Sequence, residues 1–160
     1  MAEERYIQNL AQAQKSLQIA DHMTYITYPL VKEKRLLLKV LSELSAAILS
    51  SINAILQYEY YWKRIQIYND ARANFETFKR ISKRYDLGEE QVRKLIEILE
   101  LAERHKKSSF EFVKNEKIVI MSDNLAPSYV TLEKVKEFLI YAKDFLKKVN
   151  MTVNKSHQKI

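Results

Sequence analysis

One glycine, Gly88, serves 160 residues, where an ordinary chain of that length carries about ten. Only two prolines, Pro29 and Pro127, accompany it. Sharp turns lean on these residue types, so a chain almost without them is confined to long helices with few connections. The same scarcity removes whole classes of chemistry. Phosphate-binding GxGxxG and GxxxxGK[ST] loops need several glycines, and a GxSxG elbow needs two around its serine. P-loop, standard dinucleotide and serine-elbow chemistry are thereby excluded.

Hydrophobic periodicity places the helices. Tyr6, Leu10, Ala13, Leu17 and Ala20 form one stripe of a first helix, Ala2 to His22. Tyr25 to Tyr28, ahead of Pro29, interrupts the pattern and predicts a short connection. A second helix is expected from Leu30 to about Ile67, bent near Trp62 to Asn69, with Leu37, Leu41, Leu44, Ile48, Ile52 and Ile55 on one face. Apolar most of the way round, it belongs at the centre of a bundle. Asn69 or Asp70 would cap a third helix, Ala71 to Tyr85, with Ala71, Phe75, Phe78 and Ile81 inward. Gly88 either stops that helix in a left-handed conformation or opens a fourth, Glu89 to Lys106, which buries Val92, Leu95, Ile96 and Leu99. On its outer side, Glu89/Arg93, Glu90/Lys94, Glu100/Arg104 and Glu103/Lys107 are spaced for ion pairs.

Ile118 to Met121 is a β-branched run without an obvious ladder partner. An extended segment near residues 117–122, laid across the bundle, is expected in preference to a sheet. Thr131 caps the last helix, Leu132 to Val149, with Val135, Phe138, Leu139, Ala142, Phe145 and Leu146 inward. The fold class is therefore all-α, a bundle of about five helices in one domain, residues 1–153, with a frayed basic tail at 154–160.

Zero cysteines exclude disulfides and thiolate zinc sites and accord with a reducing cytoplasm. Met1 to Arg5 opens on acids with no apolar signal core behind it. The longest uncharged run, Leu44 to Tyr58, is too short to span a bilayer, so no membrane span is expected. His22, His105 and His157 lie far apart in sequence and belong to no metal or acid–base motif, so no metal, cofactor or catalytic residue is assigned. Glu43 and Glu59 interrupt the central helix without forming a recognisable pair.

Charge carries the functional signal. The formal net charge is +7, and residues 1 to 85 hold 13 basic against 8 acidic side chains. The sharpest cluster is Lys79-Arg80-Ile81-Ser82-Lys83-Arg84. On a helix it stacks Lys79 with Lys83 and Arg80 with Arg84, a like-charge arrangement that invites an anionic partner. Lys63 and Arg64 add to it, and Tyr58, Tyr60, Tyr61, Trp62 and Tyr68 offer rings for base stacking, several of which must face the core. These six cations are the expected phosphate contacts of a non-enzymatic RNA-binding protein. An acidic protein surface, met by a helical assembly module, is the alternative. The apolar stretches Ile118 to Met121 and Tyr58 to Trp62 predict either a homodimer interface or a cover for the chain's own core.

The apolar central helix around Leu37 to Leu56, followed by helices around Glu89 to Lys106 and Leu132 to Val149, resembles the HEPN class over about residues 5 to 150. The resemblance implies a compact, often dimeric helical domain associated with RNA processing, toxin and antitoxin systems or nucleotide-transferring partners. Active HEPN ribonucleases carry an arginine four to six residues before a histidine. None of His22, His105 and His157 has one there, so the resemblance implies a non-catalytic member.

Overall fold

The computed structural model describes residues 2–158, with side chains over 4–155. Its elements are α1 (Ala2–His22), α2 (Tyr28–Val31), α3 (Leu36–Tyr61), α4 (Ala71–Ile81), α5 (Glu89–Lys107), β1 (Phe110–Lys114), β2 (Lys117–Met121), β3 (Pro127–Val130) and α6 (Leu132–Gln158). The molecule is mostly helical but carries a true antiparallel sheet of order β1-β2-β3.

α3 is the axis: α1, α4, α5 and α6 all pack against it. All six positions expected on its inner face are buried, and Tyr6, Ala13, Leu17 and Ala20 of α1 meet them. Each large aliphatic side chain so buried contributes about 1.5–3 kcal/mol. By length and hydropathy α3 could also cross a bilayer; here half of its most apolar stretch is buried within the fold. α6 closes the bundle with Phe138 and Phe145, and Phe145 lies 5.8 Å from the Phe78 ring of α4.

The expected break at Tyr25 to Tyr28 is instead a π-turn, Met23–Thr27, that carries the first helix on into α2. Pro29 lacks a donor for the helical ladder, and Thr24 turns its hydroxyl onto the Ala20 carbonyl at 2.7 Å. A widened turn absorbs both perturbations without ending the helix. The chain reverses only at Lys32, in left-handed backbone (φ 56°), before α3 begins at Leu36.

Other boundaries differ as well. α3 stops at Tyr61, not Ile67, and α4 gives way at Ser82 to a 3₁₀ turn, Ser82–Tyr85. Asp70, rather than Asn69, caps α4 by accepting from the Arg72 N–H at 3.0 Å. Gly88 caps α5 in extended backbone (φ −76°), while the left-handed residue that ends the preceding turn is Asp86. The buried face of α5 is rotated from expectation: Gln91, Leu95, Ile98, Leu101 and Ala102 are buried, and Val92, Ile96 and Leu99 are only half-buried. Gln91 explains the rotation, since its amide bridges Asp144 and Lys148 of α6, each at 2.9 Å. Of the spaced pairs, Glu103–Lys107 forms at 3.1 Å, whereas Lys94 turns to Glu137 at 2.8 Å. α6 runs past Val149 and the expected tail boundary at 154; residues 159 and 160 lie outside the described residues.

The extended segment at 117–122 is the central strand of the sheet, a correction with a clear cause. Its partner β1 is joined by a two-residue turn, Asn115-Glu116, both residues left-handed (φ 48° and 65°). Such hairpin turns are usually signalled by Asn-Gly, and this chain has no glycine there. Ile118, Ile120 and Val130 point into the bundle and join its core, so the β-branched run is covered by its own chain.

Candidate nucleic-acid interface

Glu59 continues the inner face of α3, one helical step beyond Ile48, Ile52 and Ile55, and it is only 1% exposed. A carboxylate so deeply buried requires charged partners. Two arginines provide them, each delivered by the way a helix ends.

After Tyr61 the chain forms a Schellman cap: the Lys63 N–H donates to the Tyr60 carbonyl and the Arg64 N–H to the Glu59 carbonyl, both at 2.9 Å. Lys63 takes the left-handed position (φ 59°). The cap folds Arg64 back along the helix, where its Nε donates to Glu59 Oε2 and its guanidinium lies 5.6 Å from the Tyr58 ring centroid. Burial is the largest single influence on Arg64 and opposes its charge, but the hydrogen bonds and charge attraction of Glu59 and Tyr58 together outweigh it and hold the guanidinium above its ordinary pKa.

The second arginine comes from the turn just ahead of a matching cap. In the 3₁₀ turn after α4, the Asp86 N–H donates to Lys83 and the Leu87 N–H to Ser82, at 3.1 and 3.4 Å. Asp86 is left-handed, and Leu87 is buried as the apolar clasp of the motif. The tighter 3₁₀ turn breaks the helical register, so Arg80 and Arg84 do not form the expected column. Arg84 swings inward instead and donates from Nη1 to Glu59 Oε1 at 3.1 Å. Tyr85, beside it, is buried with an unpartnered hydroxyl; burial, and then the Glu59 charge, push its pKa far above the ordinary tyrosine value.

The shared carboxylate therefore brings Lys63-Arg64 and Lys79 to Arg84, distant in sequence, to one end of the bundle. Arg64 and Arg84 hold Glu59 yet keep 41% and 53% of their side chains in solvent. Lys63, Arg80 and Lys83 are exposed, and Lys79 pairs with Glu76 at 3.0 Å. Of the five aromatics, Tyr58 is buried against Tyr6, with ring centroids 5.2 Å apart. Tyr60, Tyr61, Trp62 and Tyr68 reach solvent, Trp62 with 38% exposure. Asn74 pins the Tyr68 backbone through two 2.8 Å bonds and so fixes the loop that carries that ring.

No family model matches the chain, and neither does any curated protein. The site is therefore characterised by its own geometry.

Glu59 is the residue whose role sequence reasoning missed. The signal was present: it is the one charge on an otherwise apolar face and lies four residues beyond Ile55. Glu43 lies elsewhere, sixteen residues earlier on α3 and about 24 Å away along the axis. His22 and His105 line different cavities. His105 Nδ1 lies 2.6 Å from Glu111 of β1, a contact that ties the sheet to α5.

Proposed function

We propose that this is a non-enzymatic RNA-binding protein whose contact surface is the end of the bundle around Glu59. One observation carries the reading: two basic clusters converge on a single buried carboxylate, leaving a cationic surface bordered by four exposed rings. Lys63, Lys79, Arg80 and Lys83 are the direct phosphate contacts, and Arg64 and Arg84 combine that role with holding Glu59. Backbone phosphates answer the charge, and unpaired bases answer the rings, so single-stranded RNA fits better than a smooth acidic protein surface. Under the HEPN resemblance the same reading is of a member without ribonuclease chemistry.

Trp62 is the chain's sole tryptophan and stands within this surface. Titration with oligouridylate at low salt is expected to quench its fluorescence saturably, in step with an anisotropy rise of the labelled oligonucleotide. An unchanged Trp62 signal together with no anisotropy change would contradict the reading.

A further inference from the structure

The sheet turns its second face away from the bundle. Strand alternation and register set Phe110, Met121 and Pro127 in one cross-strand row, Phe112, Val119 and Tyr129 in the next, and Lys114 opposite Lys117 in a third. Ile118, Ile120 and Val130, on the opposite face, belong to the core, whereas Val119 is buried without joining that cluster. Phe110 is 58% exposed and Tyr129 45%. The Phe110 and Phe112 centroids lie 5.3 Å apart, and Lys117 Nζ stands 5.5 Å from the Tyr129 ring.

Within the strands, the charge on this face has one sign. Between residues 110 and 130 the acids are Glu111, Glu116 and Asp123. Glu111 alternates to the inner side and meets His105, Glu116 is held by Lys34, and Asp123 lies in the loop beyond β2. Lys114 and Lys117 thus edge a surface of aromatic rings that carries no carboxylate. Lys134 adds a third cation beside β3, its Nζ donating to the Tyr129 carbonyl at 3.1 Å.

We propose that this outer sheet face is a second contact surface for single-stranded RNA, on which bases stack against Phe110, Phe112 and Tyr129 while Lys114 and Lys117 meet phosphates. The inference rests on the RNA reading above and extends it to a separate site on the sheet. Lys34, which holds the β1–β2 turn, precedes the first residue of α3, whereas Glu59 lies in its last turn. The β1–β2 turn, with Lys114 and Lys117 beside it, is therefore on the order of 35 to 40 Å from Glu59 along that helix. The Phe110 end of the sheet lies nearer, since Glu111 meets His105, which lines a cavity with Ser42 and Ala46 of α3. A strand long enough to reach both gains affinity by raising the effective concentration of the second contact. Rings and cations on an exposed sheet are the chemistry that unpaired bases recognise.

The separation makes the two sites independently readable. In a Trp62→Phe, Phe110→Trp protein the only tryptophan reports from the sheet, whereas in the unaltered protein it reports from the Glu59 end. Oligouridylate is expected to quench the fluorescence of the doubly substituted protein saturably. Phe112→Ala with Tyr129→Ala is expected to weaken that binding at least about tenfold while leaving the salt slope unchanged, because stacking is removed and the phosphates stay neutralised. Circular dichroism and thermal melting check that the variants stay folded. Quenching of Trp62 in the unaltered protein without quenching at position 110 overturns the sheet site and leaves the RNA reading standing. No RNA response from either reporter overturns both. If the alanine pair instead converts a dimer to a monomer with RNA affinity intact, the face is an interface between copies and the proposal fails.

Discussion

Gly88 adopts backbone angles open to any residue, and a Cβ built there meets nothing within 4 Å. The conformational freedom of the sole glycine is unused, while among the described residues six that bear side chains, Lys63 and Asp86 included, take positive φ. A left-handed non-glycine residue costs roughly 1–2 kcal/mol. Gly88→Ser adds a capping hydroxyl and restrains the unfolded chain, and Asp86→Gly relieves the Schellman position. Together they are expected to raise stability by about 1 kcal/mol or more, visible as a higher midpoint in urea unfolding. Tyr85 supports a second prediction at this scale. Its hydroxyl is buried without a partner, so Tyr85→Phe is expected to raise the melting temperature at neutral pH. The pH dependence follows from the direction of its shift. The unfolded tyrosine ionises near pH 10 while the folded one stays protonated, so native stability falls as pH climbs past about 10. The phenylalanine variant is expected to lose less stability over that alkaline range, and an identical loss in both proteins would contradict the assignment.

Helices whose burial follows from their own periodicity were legible in the sequence, and elements shaped by tertiary partners were not. The stripes of α1, α3 and α6 and the cap Thr131 could be read directly, and the α4 cap was narrowed to Asn69 or Asp70, of which Asp70 is used; the Thr131 hydroxyl accepts from the Lys134 N–H at 3.1 Å. α5 was misjudged because its apolar arc is wide and Gln91 commits it to α6. The sheet was missed because a left-handed Asn-Glu turn gives no glycine signal. At the candidate site the six cations were visible, but the pairing of Glu59 with two of them was not, because Arg84 reaches Glu59 from 25 residues away. That gathering is testable in the two elements it joins. Arg64→Ala with Arg84→Ala strands a buried carboxylate and is expected to cost about 3–5 kcal/mol in urea unfolding. Each single replacement leaves one partner in place and is expected to cost less. A double variant as stable as the parent would mean that Glu59 does not organise this end of the bundle.

The whole molecule is a helical bundle with a cationic, ring-bordered surface at one end of α3 and a sheet near the other. Arg64 and Arg84 tie part of the charge at the Glu59 end to the buried interior, so only the cations that do not touch Glu59 can be changed without disturbing the fold. Lys63, Lys79, Arg80 and Lys83 are suited to this, being exposed and free of the Glu59 bridge. Their joint replacement by glutamine tests the central claim most directly, with the affinity for oligouridylate measured across a salt series. The account predicts weaker binding at every salt concentration and a log–log salt slope shallower by about 0.7 for each phosphate no longer neutralised. The same affinity and slope as the parent protein would contradict it.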